Sequence, residues 1–165
     1  MMPVRPSRLW KDMPLENRLL AADAFWRDDQ AESGMQHMEA VVSIARRLNF
    51  RPKSVQALPI EKRAKHLAHM QDVSDAVATR ALIAYHFAAR KGLMAAFLDA
   101  LGISHEDGLI KEESVPPPPR EKLAAAIASV RGSFPAADVD LYVRTLASLD
   151  GETWAEAEAA LAASE

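Results

Sequence analysis

The sequence of 165 residues contains no cysteine. This absence excludes disulfides, thiolate metal sites, iron–sulfur clusters and a cysteine nucleophile. The six glycines are too widely spaced for a dinucleotide-binding loop, a P-loop or a nucleophile elbow. No apolar run approaches the roughly 18 residues that a membrane-spanning helix needs. The first residues are too polar and too interrupted by proline for a signal peptide. We therefore expect a cytoplasmic protein.

The abundant residue is alanine, which clusters with leucine, glutamate, arginine and lysine, all strong helix formers. This pattern predicts an all-α protein with no β-sheet, a compact orthogonal bundle of about seven to eight helices. Apolar stripes and terminator residues place the helices at 14–28, 34–48, 59–70, 73–90, 93–101, 120–131, 135–149 and 152–163. The helix at 73–90 is apolar on nearly every face, so we expect it to be the buried centre of the bundle.

Several helix ends can be assigned from single residues. Pro14 and Pro59 suit the first position of a helix, where the missing N–H costs nothing. Asn49 and Gly102 suit a left-handed helix terminus. Ser74 is a candidate N-cap for the central helix.

Residues 111–119 combine acidic side chains with four consecutive prolines, a composition typical of a stiff, extended linker. The sequence thus predicts a main helical bundle at 1–110, a linker at 111–119 and a three-helix C-terminal subdomain at 120–165. Three short helices are marginal as an independent domain. We therefore expect them to dock on the main bundle, giving a single compact domain overall.

Charge is distributed unevenly, although the net charge is only −3 and creates no strong overall attraction to nucleic acid or membrane. Between residues 46 and 66, seven cations accompany one acid, giving 7 − 1 = +6. From residue 138 to the end, seven acids accompany one cation, giving 1 − 7 = −6. The basic segment is a candidate anion- or partner-binding site. Its candidate residues are Arg46, Arg47, Arg51, Lys53, Lys62, Lys65, His66 and His69.

His66 and His69 lie three residues apart on the polar face of the helix at 59–70, so both could contact one ion. However, the neighbouring Lys62 and Lys65 would repel a cation. The HExxH zinc signature and the Glu-x-x-His signature of di-iron bundles are both absent. We therefore expect no metal and no cofactor.

Arg80 and His86 are predicted to be buried polar residues, because they interrupt the apolar central helix. A buried arginine needs a carboxylate partner. Asp23, Asp75 or Asp99 could supply it. We interpret these residues as structural contacts between helices; the alternative is a perturbed acid–base pair that lines a pocket.

Residues 13–18, Met-Pro-Leu-Glu-Asn-Arg, resemble residues 58–63, Leu-Pro-Ile-Glu-Lys-Arg. Proline first and glutamate in the first turn is a common way to begin a helix. We therefore interpret the likeness as two similar helix starts, and not as a repeat architecture.

These patterns favour a non-enzymatic protein-interaction or scaffold module that binds a protein partner or associates with itself. One alternative is a protein that binds nucleic acid or another polyanion through residues 46–66. However, Phe50 is the one Phe, Tyr or Trp residue within that segment that could stack on bases. A further alternative is a small-molecule or metal-dependent enzyme, built around His66 and His69 or around Arg80 and His86.

Overall fold

A computed structural model of the chain describes residues 2–30 and 33–165. The predicted all-α fold is confirmed, with ten helices in the described residues. They are α1 (Pro6–Asp12), α2 (Leu15–Arg27), α3 (Gly34–Leu48), α4 (Pro52–Gln56), α5 (Ile60–Ala68), α6 (Asp75–Ala89), α7 (Lys91–Leu101), α8 (Arg120–Arg131), α9 (Ala136–Leu149) and α10 (Ala157–Ala163). In this part of the chain, no helix has both the length and the apolar character to cross a membrane.

A short hairpin joins α7 to the proline-rich segment. Its strands β1 (His105–Glu106) and β2 (Leu109–Ile110) pair antiparallel. Between them, Asp107 and Gly108 both have positive φ, at 50° and 91°. Two consecutive residues of this kind form the tight turn whose twist matches paired strands. The predicted absence of β-structure is therefore wrong at this turn.

The chain divides into two units. The N-terminal unit comprises Pro6–Ala89, and the C-terminal unit comprises Arg90–Glu165 together with the residues that precede Pro6. The predicted linker at 111–119 lies inside the C-terminal unit, and a domain division at that segment stays a prediction.

The centre of the N-terminal unit is α6, which packs against α1, α2 and α3. Its inner face buries Val77, Ala78, Ala81, Leu82, Tyr85 and His86. Its exposed positions include Ala76 and Ala88. Because alanine tolerates both water and a protein interior, the sequence shows no polar face although part of the helix is exposed.

The segment before α2 forms a short helix that the sequence analysis missed. α1 has seven residues, too few for a stable isolated helix. It is held by Trp10, which is completely buried and whose indole N–H donates to the carbonyl oxygen of Met70 at 2.8 Å. The short helix α4, which the sequence analysis also did not predict, is likewise anchored by the buried Val55.

The residues that begin and end the helices act nearly as predicted. Pro14 and Pro59 occupy the N-cap, one position before the predicted one, and their carbonyl groups accept the first helical hydrogen bonds. Asn49 and Gly102 are left-handed, with φ of 57° and 71°. The hydroxyl oxygen of Ser74 accepts a bond from the third residue after it, as an N-cap should.

In the C-terminal unit, α8 packs against α7, α9 and α10. Phe97 lies at the centre of an aromatic group, with ring centroids 5.6 Å from Tyr142 and 6.1 Å from Trp154. α10 begins at Ala157 and not at residue 152. The reason is the turn before it, where the Asp150 carboxylate accepts bonds from the backbone N–H and the hydroxyl of the residue three positions later.

Candidate functional site

The candidate basic residues all lie in the N-terminal unit, at the end of α3, at the start of α4 and along α5. Seven of the eight side chains belong to exposed residues, and His66 is half-buried. We call this set the basic surface. Its members are Arg46, Arg47, Arg51, Lys53, Lys62, Lys65, His66 and His69.

One part of the basic surface converges on His66. Burial lowers the pKa of His66, and the positive charges of His69, Arg47, Lys62 and Lys65 lower it further. Because Coulomb interactions weaken with distance and with screening, these groups must lie near the imidazole. Arg47 comes from the end of α3, whereas the others belong to α5 or its C-cap. We call these five residues the His66 cluster.

The other part lies on the turn between α3 and α4. The left-handed end of α3 is followed directly by Phe50, whose side chain is 50 % exposed. Arg46, Arg51 and Lys53 are exposed around it. We call these four residues the basic turn. It joins the His66 cluster through the adjacent residues Arg46 and Arg47.

The six arginines and lysines of the basic surface share one property: none forms an ion pair with any carboxylate among residues 2–30 and 33–165. Exposed cations elsewhere in the same unit differ. Arg8 and Arg27 each lie 2.9 Å from a carboxylate oxygen, and Lys11 lies 3.5 Å from one. The basic surface therefore carries positive charge that nearby acids do not compensate.

The acidic residues near the C-terminus make their contacts inside the C-terminal unit. Four of them form ion pairs with arginines of that unit. The pairs are Asp138 with Arg90, Asp140 with Arg131, Glu156 with Arg120 and Glu158 with Arg144. The predicted charge asymmetry along the chain is thus partly balanced in this unit, in contrast to the basic surface.

An apolar stripe lies on the same helix as the end of the basic surface. Met35 is 82 % exposed and Met38 is 46 % exposed. At 100° per residue, both fall within about 80° of Arg46 around the axis of α3. Half-buried Val42 lies between them on the same face. The outer face of α3 therefore exposes two methionines near its start and Arg46 at its end, with the exposed Glu39 between them on the same face.

The two histidines of the cluster do not form a metal site with any third group in the described residues. No three His, Cys, Asp or Glu side chains in this part of the chain lie close enough together to hold an ion. Nδ1 of His69 lies 2.8 Å from the Lys65 carbonyl oxygen, so this nitrogen carries the hydrogen and donates.

The burial predicted for two residues of α6 holds for one of them. His86 is 2 % exposed, and its Nδ1–H donates to the Leu82 carbonyl oxygen at 2.8 Å. Arg80 is half-buried, so it is less buried than predicted. Asp23, one of the carboxylates suggested for it, pairs instead with Arg27 at 2.9 Å.

The buried arginine of this unit is Arg18, which the sequence analysis did not identify. It is 7 % exposed and contacts backbone carbonyl groups. Its Nε donates to the oxygen of Ala68 at 2.8 Å, and its Nη1 donates to that of Met13 at 2.9 Å and to that of Lys11 at 3.3 Å. The available signal was the likeness between residues 13–18 and 58–63, which places Arg18 and Arg63 at equivalent positions.

The site is therefore a continuous basic surface on one unit, with an apolar stripe on the helix that leads into it. No protein-family model, curated protein or solved structure matches this chain.

Proposed function

We propose that this chain is a non-enzymatic protein-interaction module, and that its basic surface binds an acidic segment of a partner protein. The observation that carries the proposal is the set of six exposed cations without carboxylate partners in the described residues. A surface of this kind attracts an acidic partner over a distance of about 10 Å, the range of electrostatic screening at 0.1 M salt.

Two features favour a protein partner over a nucleic acid. Met35 and Met38 are exposed on the face of α3 that ends in Arg46. Methionine adapts its shape to apolar partner side chains and is typical of protein-binding surfaces. Phe50 is the one Phe, Tyr or Trp residue within residues 46–66, the segment that carries most of the basic surface, whereas proteins that bind single strands usually stack several rings on successive bases. An acidic amphipathic helix would satisfy both the apolar stripe and the cations.

Fluorescence anisotropy at low salt tests the proposal with three labelled probes. They are an acidic amphipathic peptide with glutamate and leucine at helical spacing, a peptide of glutamate alone, and a DNA duplex. The amphipathic peptide should bind most tightly, and its affinity should fall as salt rises. Tighter binding of the duplex than of both peptides would contradict the proposal and favour the polyanion alternative. Absence of binding to all three probes would refute both.

A matched pair of variants assigns the binding to the surface. R47Q/K62Q/K65Q removes three cations around His66, and R8Q/K11Q/R27Q removes three paired cations of the same unit. An exposed ion pair contributes about 0.5 kcal/mol, so the first variant should weaken peptide binding roughly tenfold. The second should leave the affinity nearly unchanged, although it changes the net charge equally. Equal losses in both variants would show only a general effect of charge.

A further inference from the structure

The C-terminal unit contains an open groove of about 380 Å³ between the proline-rich segment and the end of α9. Its apolar surface comes from Val115, Leu146, Leu149 and Trp154. Leu149 is 47 % exposed there, so this groove offers apolar surface to a bound side chain. The volume lies at the lower end of the range for ligand pockets, so it fits one large side chain with its neighbours.

The rim of this groove is acidic. It is formed by Glu112, Glu113, Asp150 and Glu152, all of which are exposed. Hydrogen bonds from Thr153 lower the pKa of Asp150, so this carboxylate stays charged near neutral pH. None of the three glutamates forms an ion pair within the part of the chain that the structure describes. The groove therefore combines an apolar floor with uncompensated negative charge.

The basic turn has the complementary features. Phe50 is a large apolar side chain that is half exposed, and three cations flank it: Arg46, Arg51 and Lys53. The left-handed end of α3 and the proline at the start of α4 restrict the backbone on both sides of this turn. The turn thus presents its phenyl ring and its charges at little cost in conformational entropy.

We propose that the acidic groove of one copy of this chain binds the basic turn of a second copy, with Phe50 in the groove and its flanking cations against the acidic rim. This inference rests on the proposed function, because it names the acidic partner of the basic surface. The two contacting surfaces differ, so a bound pair of copies retains one free groove and one free turn. Association of this kind continues into larger assemblies or closes into a ring.

Sedimentation velocity over a range of protein concentrations tests the proposal. The wild-type chain should form species larger than 18.1 kDa that increase with concentration and decrease with salt. R51Q/K53Q removes the charges of the turn, F50A removes its ring, and E112Q/E113Q neutralises part of the rim. Each of these variants alone should remain monomeric. R8Q/K11Q and E121Q/E165Q change exposed charges elsewhere by equal amounts and should associate like the wild type.

A mixture of two defective variants gives the most specific result. R51Q/K53Q retains an intact groove, and E112Q/E113Q retains an intact turn. Together they should form a species of two chains, 2 × 18.1 = 36.2 kDa, that does not grow further. Neutral glutamine is used because charge reversal on both sides would create a new attractive pair.

Three outcomes would overturn the proposal: a wild-type chain that is monomeric at every concentration, association that survives in F50A, or a mixture that stays monomeric. The proposed function fails separately. If the chain does not self-associate but R47Q/K62Q/K65Q still weakens binding of the acidic peptide, only the identity of the partner is wrong. If the peptide does not bind either, both proposals are wrong.

Discussion

Replacing Arg18 with methionine should destabilise the N-terminal unit much more than the same replacement at Arg63. The two arginines hold equivalent positions, four residues after the N-cap prolines of α2 and α5. Each donates back to the carbonyl group that precedes its proline, at 2.9 Å for Arg18 and 3.1 Å for Arg63. Each also contacts the far end of the other helix. Arg18 reaches the carbonyl of Ala68, and Arg63 lies 5.0 Å from the ring centroid of Trp26.

The expected costs differ because the two surroundings differ. Arg18 is buried and would lose two short bonds to carbonyl groups, each contributing roughly 1.5–3 kcal/mol when the donor is charged. The partner carbonyls would then lack a donor, so we expect a loss of about 3–5 kcal/mol. Arg63 is half-buried and would lose one such bond and a cation–π contact of about 0.5–1 kcal/mol. Because water reaches this half-buried site and replaces part of the lost bond, the replacement of Arg63 should cost only about 1–2 kcal/mol.

Urea unfolding followed by tryptophan fluorescence measures both variants. A W154F background restricts the signal to Trp10 and Trp26, which belong to the N-terminal unit. This choice matters because a chain with two units need not unfold in one transition. Equal losses of stability at the two positions, or a larger loss at Arg63, would refute the reasoning that buried carbonyl contacts determine the difference.

Three further perturbations test other parts of the structure. G108A should lower the unfolding free energy about 1–3 kcal/mol more than G102A, as measured by urea unfolding. Both glycines have positive φ, so an alanine is strained at either position. Only at Gly108 would the added Cβ also clash, because it would lie 2.8 Å from the Cβ of Met94, whereas the space at Gly102 is open. Equal losses of stability in the two variants would contradict this steric explanation. W10F should lower the unfolding free energy by about 1–3 kcal/mol in the same assay, because the buried carbonyl oxygen of Met70 loses its indole N–H donor. An unchanged urea midpoint would contradict this and would mean that water replaces the donor. In the folded chain, the pKa of His66 is lowered from 6.5, so below that pH the unfolded chain binds more protons than the folded chain. The unfolding free energy therefore falls as the pH drops through about 6.5 toward the folded pKa. H66Q should therefore lose less stability than the wild type between about pH 7.5 and pH 5.5; an equal loss would show that His66 does not contribute.

The long helices were predictable because local chemistry determines them. The apolar run of α6 identified it as a packed helix, and Asn49 and Gly102 marked the ends of α3 and α7. α1 and α4 were not predictable, because helices of seven and five residues are not stable alone. Their stability depends on Trp10 and Val55, whose burial is a property of the folded unit and not of the local sequence.

The candidate site was predictable in composition but not in geometry. Counting charges identified the basic residues, whereas their exposure and their lack of ion pairs among the described residues depend on how α3, α4 and α5 pack. The arginines show the same limit. Arg80 was expected to be buried because its helix is apolar, and Arg18 was overlooked because its acceptors are backbone carbonyl groups. A carbonyl acceptor leaves no residue pattern in the sequence, unlike a carboxylate partner.

The likeness between residues 13–18 and 58–63 allows the two helix starts of the same unit to be compared position by position. The positions that match are the proline, the apolar residue after it, the glutamate and the arginine. Both prolines begin their helices in the same way, because the carbonyl oxygen of each accepts hydrogen bonds of 3.0 Å from the backbone N–H groups three and four residues later. The matching arginines each reach the end of the opposite helix. Four of the positions at which the two helices differ carry a cation or a histidine in only one of them. α2 has Asn17, Leu20, Ala21 and Ala24 there, and the α5 segment has Lys62, Lys65, His66 and His69. Because α2 forms its helix and packs without these charges, the fold does not require them on α5. Of these four residues, His69 donates to the Lys65 carbonyl oxygen at the end of α5. Lys62 and Lys65 form no ion pair among the described residues, and these free charges are what the proposed binding role requires.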